Sequence, residues 1–419
     1  MLSRIQLRHL LIAAVTLSAS LGVAQTAAAP KPLSPVDRFN YIVGTEVIGG
    51  FHQTQPWTKP PLVQGAEEVL AMGSPIIKLT MSPRYAQNGY AEKRDPAITS
   101  LIQLAQVSYY KQVFDMPFSE YVMWTYTFST DNQLWPWHGH MKQETIDAEY
   151  KEMYAFTKYL LTTYNGTGKT FYLGNWEGDW HLIDGSPAAK YKWLRDPNPE
   201  AVPGMIDWLT ARQKAIDDAK RDTPHKDVQV YFYVETNLVQ KTIKEGKTTV
   251  TSAVLHDVNP DFVSYSSYDS TNPDKDMHHD LPTALDFMQS KLTPKPGLPE
   301  KRVFIGEYSS LARRFDPQQQ DAFMRDIIAT SIKWGTPLVL YWGLYTNSVV
   351  DKCWLIDMDG VKQPAYYTYV NFDRDARKYV ADSLKKKKRV PSDAEYQAFA
   401  YKWFSAPVKP AEAPQGKGQ

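Results

Sequence analysis

Phe171-Tyr172-Leu173-Gly174-Asn175-Trp176-Glu177-Gly178-Asp179-Trp180 is the densest chemical signal in this chain. An apolar run stops at a glycine, and an amide, two carboxylates and two indoles follow at once. A second run, Val303-Phe304-Ile305-Gly306-Glu307-Tyr308-Ser309, ends on a lone glutamate. Short apolar runs that end on polar chemistry read as strands buried on both faces, with functional groups at their C-terminal ends. Six more such runs occur: Tyr41–Ile48, Pro75–Thr80, Tyr121–Phe128, Val228–Val234, Phe262–Tyr265 and Leu338–Trp342.

Helical periodicity fills the intervals. Leu62–Met72, Ala97–Phe114, Glu144–Tyr164, Met205–Arg221, Leu281–Leu292 and Gln318–Trp334 carry apolar residues at helical spacing. The interval around Thr251–Val258 is the weak one. Strands that alternate with helices predict an α/β fold, a closed (β/α)8 TIM barrel forming a single catalytic domain over residues 35–384. An open doubly wound sheet is the alternative. No glycine-rich phosphate loop follows the first strand, which argues against a dinucleotide fold.

The flanks are of another kind. Arg4, Arg8 and His9 precede an apolar stretch, Leu10–Val23, and small residues continue through Ala29. This pattern predicts a signal peptide over residues 1–29 and a secreted or periplasmic protein. A retained N-terminal anchor is the other reading; without one, no membrane partner remains. Residues 385–405 are expected to form a basic and helical extension, and 406–419 a disordered tail. The run Lys385–Arg389 reads as a solvated helix end rather than a polyanion site.

The formal net charge is +1, so there is no electrostatic case for a nucleic-acid partner. Cys353 is the only cysteine; it excludes an intrachain disulfide and reads as a packing residue. The 12 Trp and 26 Tyr suit stacking on sugar rings, although most aromatic side chains belong to a core.

Glu177 and Glu307 would lie across one cavity if these runs are the fourth and seventh strands of a barrel. Two carboxyls there can flank a glycosidic bond, one protonated to donate to the leaving oxygen and one ionised to attack. In a regular strand Asn175, Glu177 and Asp179 share a face, so Asp179 competes with Glu177 for the acid role.

The chain resembles the clan A retaining glycoside hydrolases over roughly residues 40–380. The resemblance rests on Glu177 near Asn175, on Glu307, on Tyr268 in Val263-Ser264-Tyr265-Ser266-Ser267-Tyr268, and on Trp342 in Tyr341-Trp342-Gly343. It also rests on the turn Asp357-Met358-Asp359-Gly360 leading to Pro364-Ala365-Tyr366. It implies that Glu177 is the acid/base, Glu307 the nucleophile and Tyr268 a hydrogen-bond partner of Glu307, with carboxyls about 5 Å apart. Two departures stand out. Trp176 separates Asn175 from Glu177, and Ser266 stands where several members carry histidine.

The candidate substrate-binding residues are Asn175, Trp176, Asp179, Trp180, Glu235, Tyr268, Trp342, Trp137 and His138. Trp135 and Trp137 are expected to form a substrate wall on the loop after the third strand. Glu235 could bind a hydroxyl, tune a neighbour or pair with a lysine. Lys78 and Arg84 reach either an acidic sugar or nearby carboxylates. The histidine spacing matches no zinc pattern, so no metal or cofactor is expected. A carbohydrate is the expected partner. The alternatives are a non-catalytic carbohydrate-binding barrel and a metal-dependent barrel hydrolase.

Overall fold

The computed structural model describes residues 31–49, 58–130, 137–183, 195–310, 314–345 and 352–407. The leader, Trp135 and the tail from 408 onward lie outside the described residues.

Eight parallel strands close into one barrel in sequence order. They are β1 (Val43–Glu46), β2 (Ile76–Met81), β3 (Glu120–Thr125), β4 (Lys169–Gly174), β5 (Val228–Thr236), β6 (Phe262–Ser266), β7 (Val303–Tyr308) and β8 (Val339–Tyr341). Closure comes from β1 pairing with β8, Val43 opposite Val339. Side chains alternate across the sheet, so each strand feeds two cores. Ile76, Val122, Tyr172, Tyr233, Phe304 and Leu340 fill the barrel interior. Ile77, Met123, Leu173, Val234 and Ile305 face the helices and join the larger outer core.

The helices follow local signals. Helix α1 (Pro61–Met72) starts on a proline and ends at Gly73, whose φ of 98° closes the last turn. The expected helix over Ala97–Phe114 is two helices, α2 (Leu101–Gln106) and α3 (Ser108–Asp115). Val107 between them is extended, with ψ 137°, and its β-branched side chain lowers the cost of leaving the helix. Helices α4 (Gln143–Thr163) and α5 (Val202–Asp222) follow. The weak interval breaks into α6 (Val239–Glu245), α7 (Val250–Ala253) and α8 (Leu255–Val258). Then come α9 (Met277–Gln289) and α10 (Pro317–Trp334).

Helix α11 (Pro364–Lys387) runs through the expected boundary at 384/385 without a break. Helix α12 (Asp393–Ser405) opens with a capping box between Ser392 and Glu395. Glu395 also pairs with Lys387 and Arg389, so the basic run ends a helix in solvent.

A buried ion pair ties helices to strand ends. Arg212 of α5 meets Glu149 of α4 at 2.9 Å, and its other nitrogen donates to the carbonyl of Thr125 at 2.6 Å. The C-terminal end of β3 is thereby fixed from outside the barrel, at the level where catalytic groups sit in this fold.

Candidate active site

Charge begins directly above the apolar interior. Glu46 of β1, Lys78 of β2, Glu235 of β5 and Glu307 of β7 all point inward and are buried. The Lys78 ammonium donates to Glu235 Oε2 at 3.2 Å, to the Gly306 carbonyl at 2.9 Å and to Glu307 Oε1 at 3.2 Å. Glu46 Oε2 lies 3.6 Å away, and the ammonium sits 4.5 Å from the centre of the Trp124 ring. Burial alone would lower the Lys78 pKa, but Glu235, Glu46 and Glu307 outweigh it and raise it. Lys78 therefore pairs with carboxylates, which decides between its two sequence readings.

Glu307 reaches the cavity by an irregularity. Strict alternation from Phe304, which faces in, would turn Glu307 toward the helices. Instead Ser266 pairs with Glu307, one residue late, and Tyr308 rather than Glu307 pairs with Tyr341. One extra residue in β7 is a bulge, and it lets Gly306 and Glu307 both face inward while Tyr308 returns to the outer core. A Cβ on Gly306 would lie 1.8 Å from Ser264 Oγ and 2.9 Å from Glu235 Oε2, so only glycine fits there. The Glu307 carboxylate accepts from Lys78 at Oε1 and from the Tyr268 hydroxyl at Oε2, at 3.2 Å. Burial raises its pKa to about 7, with Lys78 pulling down and Glu235 pushing up.

Glu177 arrives differently. The strand ends at Gly174, so the alternation expected from Asn175 through Asp179 does not exist. Asn175 turns to β5: its amide oxygen accepts from the Glu235 N–H at 3.2 Å and its amide nitrogen donates to the Glu235 carbonyl at 3.1 Å. Glu177 then takes a positive φ of 20° and caps a short 3-10 turn, Gly178–Leu182. Such a backbone is costly for a non-glycine residue and needs support. Support comes from the Glu177 N–H, which donates to Glu235 Oε1 at 3.0 Å. Among the described residues, the Glu177 carboxylate accepts from one neutral donor, the Trp180 indole N–H at 2.5 Å. Burial, then Glu307, then Glu235 push its pKa well up. The two glutamates thus share one field, with Lys78 close to one of them.

Asp179 is spent elsewhere. It accepts from the Thr236 hydroxyl at 2.7 Å and from the N–H groups of Asn237, Leu238 and Val250 at 2.8, 3.0 and 2.7 Å. It is fully buried and holds the β5 end to the start of α7. This corrects its expected place among substrate-contacting groups.

The aromatic residues divide. Trp176, Trp180, Tyr268 and Trp342 keep partly exposed faces. Trp124, itself buried, packs against the partly exposed Trp176 and Trp342 with ring centres 6.1 and 6.0 Å apart, so it backs both indoles. Trp137 corrects another expectation. It is buried at 5% exposure against Trp208, and a Cβ on Gly204 would fall 2.8 Å from its ring. It is therefore core, not substrate wall; His138 beside it is exposed.

Sequence reasoning missed Glu46, Trp124 and Ser264 as parts of this site. Glu46 and Trp124 each stand near the end of an apolar strand, the signal that singled out Glu307. Glu46 is fully enclosed, and burial raises its pKa well up against the pull of Lys78. Ser266 is buried in register with Glu307. Among the described residues, no group of three or more His, Cys, Asp or Glu side chains is arranged to hold a metal ion.

No protein-family model and no curated relative matches the chain. Solved structures do. A GH5_18 protein from Bifidobacterium longum subsp. infantis superposes with a TM-score of 0.53 at 12% identity, over 79% of each chain. A GH5_18 variant from Streptomyces cattleya, in complex with Manb1-4GlcNAc, gives 0.52 at 9% identity, over 83% of each chain. A family 39 glycoside hydrolase from the gut symbiont Bacteroides cellulosilyticus WH2 gives 0.51 at 10% identity, over 83% of this chain and 66% of that one. The fold of this chain is therefore the (β/α)8 barrel of these glycoside hydrolases.

Proposed function

We propose that this protein is an exported O-glycoside hydrolase that cleaves an oligo- or polysaccharide with retention of configuration. Glu307 is the nucleophile and Glu177 the general acid, then base. The observation that carries this reading is the unequal company of the two carboxyls. Glu307 accepts from an ammonium and a phenol, which favour its ionised form. Glu177 accepts from one indole and faces the negative charge of Glu307 and Glu235. Two carboxyls whose surroundings push them apart supply the attacking group and the proton donor.

The reaction then runs in two steps. Glu307 attacks the anomeric carbon as Glu177 protonates the departing oxygen, giving a glycosyl ester on Glu307. Water, deprotonated by Glu177, attacks that ester and frees Glu307. The likeness to glycoside hydrolase folds and the indole surface of Trp176 and Trp342 support a sugar substrate.

The test is a panel of aryl glycosides with wild type, Glu177→Ala and Glu307→Ala. Both variants should lose cleavage, and azide should restore it to Glu307→Ala with a glycosyl azide as product. Activity that survives both substitutions would sink the assignment.

A further inference from the structure

We propose that Glu235, resting on the two-glutamate reading above, is a positioning residue that locks the backbone of the acid/base to the cation of the nucleophile. All four contacts of its carboxylate are accepted hydrogen bonds. Oε1 takes the Glu177 N–H at 3.0 Å and the Trp124 indole N–H at 3.2 Å. Oε2 takes the Ser264 hydroxyl at 2.7 Å and the Lys78 ammonium at 3.2 Å. Lys78 continues to Glu307 at 3.2 Å. One unbroken chain of contacts therefore runs from the Glu177 main chain through Glu235 and Lys78 to the Glu307 carboxylate.

Two further features are built around this group. Asn175 holds the Glu235 main chain at both its N–H and its carbonyl. Gly306 leaves the space into which the Glu235 carboxylate and the Ser264 hydroxyl reach. Neither feature is needed if Glu235 only fills the barrel.

An amide cannot replace this carboxylate. Its oxygen can serve one side, but its NH2 then faces two donors on the other: either Glu177 N–H and Trp124, or Lys78 and Ser264. Either orientation breaks the chain at one end. Charge matters too. The titratable groups facing Glu235 are Lys78 from β2, Glu46 from β1, Glu307 from β7, Glu177 after β4, Tyr126 after β3 and Tyr233 on its own strand. Removing its charge leaves more of Lys78 for Glu307 and less repulsion on Glu177, so both carboxyls would titrate at lower pH.

The experiment is the pH dependence of kcat and kcat/KM on an aryl glycoside that the wild type cleaves. It uses Glu235→Gln, Glu235→Asp and Ser264→Ala in the full chain, with Glu307→Ala as the reference. Glu235→Gln should lose about 10²-fold in kcat, the scale of a misplaced reacting group, and both limbs of its profile should move to lower pH. Glu235→Asp keeps the charge, so it should keep the wild-type limbs with a smaller loss. Ser264→Ala leaves Glu235 to compete harder for Lys78, so the acid limb should move to higher pH; it carries the test if Glu235→Gln does not fold. Unmoved limbs in Glu235→Gln, or in Ser264→Ala where that variant carries the test, overturn the proposal even while Glu307→Ala is dead. A wild type that cleaves no glycoside overturns the two-glutamate reading and this inference with it.

Discussion

The Glu307 carboxyl has two opposed demands on it. The proposed role as nucleophile needs it ionised, yet burial raises its pKa to about 7. On the proposed mechanism the kcat/KM of the free enzyme should therefore fall as pH drops through about 7, while the alkaline limb, set by the proton on the proposed acid Glu177, lies higher. A pH–rate profile checks this, and an optimum well below neutrality would contradict it. The same shift has a stability sign. A group whose folded pKa is raised binds more protons when folded than when unfolded. Its contribution is full below the ordinary carboxylate value of 4.5 and is lost as pH rises through about 7. Glu307→Gln cannot ionise, so it should be more stable than wild type at pH ~8 by about 1–3 kcal/mol, and no more stable at pH ~4. Urea unfolding of both proteins at the two values decides it. At this scale the sequence was informative where one residue stood alone at a strand end. It misled where several polar residues followed one another. Asn175 and Asp179 bond to main chain on β5 and beyond, and no local pattern announces a hydrogen bond to a distant strand.

Strands were the most legible elements because a run buried on both faces has no other periodicity to compete with it. What alternation could not show is the extra residue in β7 that turns Glu307 inward. The only local hint was Gly306, since glycine in a strand often marks a bulge or a close approach. A prediction belongs to this pair of strands. Gly306→Ala places a methyl on Ser264 and beside Glu235, so β6 and β7 must separate or Glu307 must move. The variant should lose at least about tenfold in kcat/KM, given how steeply rate falls with misplacement. Adding Ser264→Gly removes the obstructing hydroxyl and should recover part of the loss, giving a coupling that a double-mutant cycle measures. Equal losses in the single and double variants would show that the bulge does not set Glu307. Trp137 shows the opposite failure. Its aromatic loop looked like a wall, but Gly204 at the start of α5 lets the ring pack flush into the outer core.

Across the whole molecule, the barrel sets the proposed site apart from part of its scaffold. The carboxylate cluster occupies the C-terminal ends of the strands, while α12 closes the opposite region. Tyr396 of α12 donates to the carbonyl of Tyr41, two residues ahead of β1, at 3.0 Å. Phe404 packs tilted against Phe372 of α11 with ring centres 4.4 Å apart, and Arg325 of α10 donates to the Trp403 carbonyl at 3.1 Å. Tyr396, Ala400 and Phe404 are buried, so residues past 384 belong to the helical layer and not to a separate appendage. A chain ending at Pro391 would uncover that surface. Burying two large side chains and an alanine is worth about 5 kcal/mol in total, from roughly 1.5–3 kcal/mol for each large side chain plus the surface they cover. The truncated protein should melt well below the full chain. Its kcat/KM on the same glycoside, measured cold where it is still folded, should stay within about threefold, because the packing of this region serves the scaffold and not the mouth. A melting temperature unchanged by the truncation would mean that α12 rides on the barrel without holding it. A cold-measured loss as large as that of Glu307→Ala would mean instead that the two ends of the barrel are mechanically coupled.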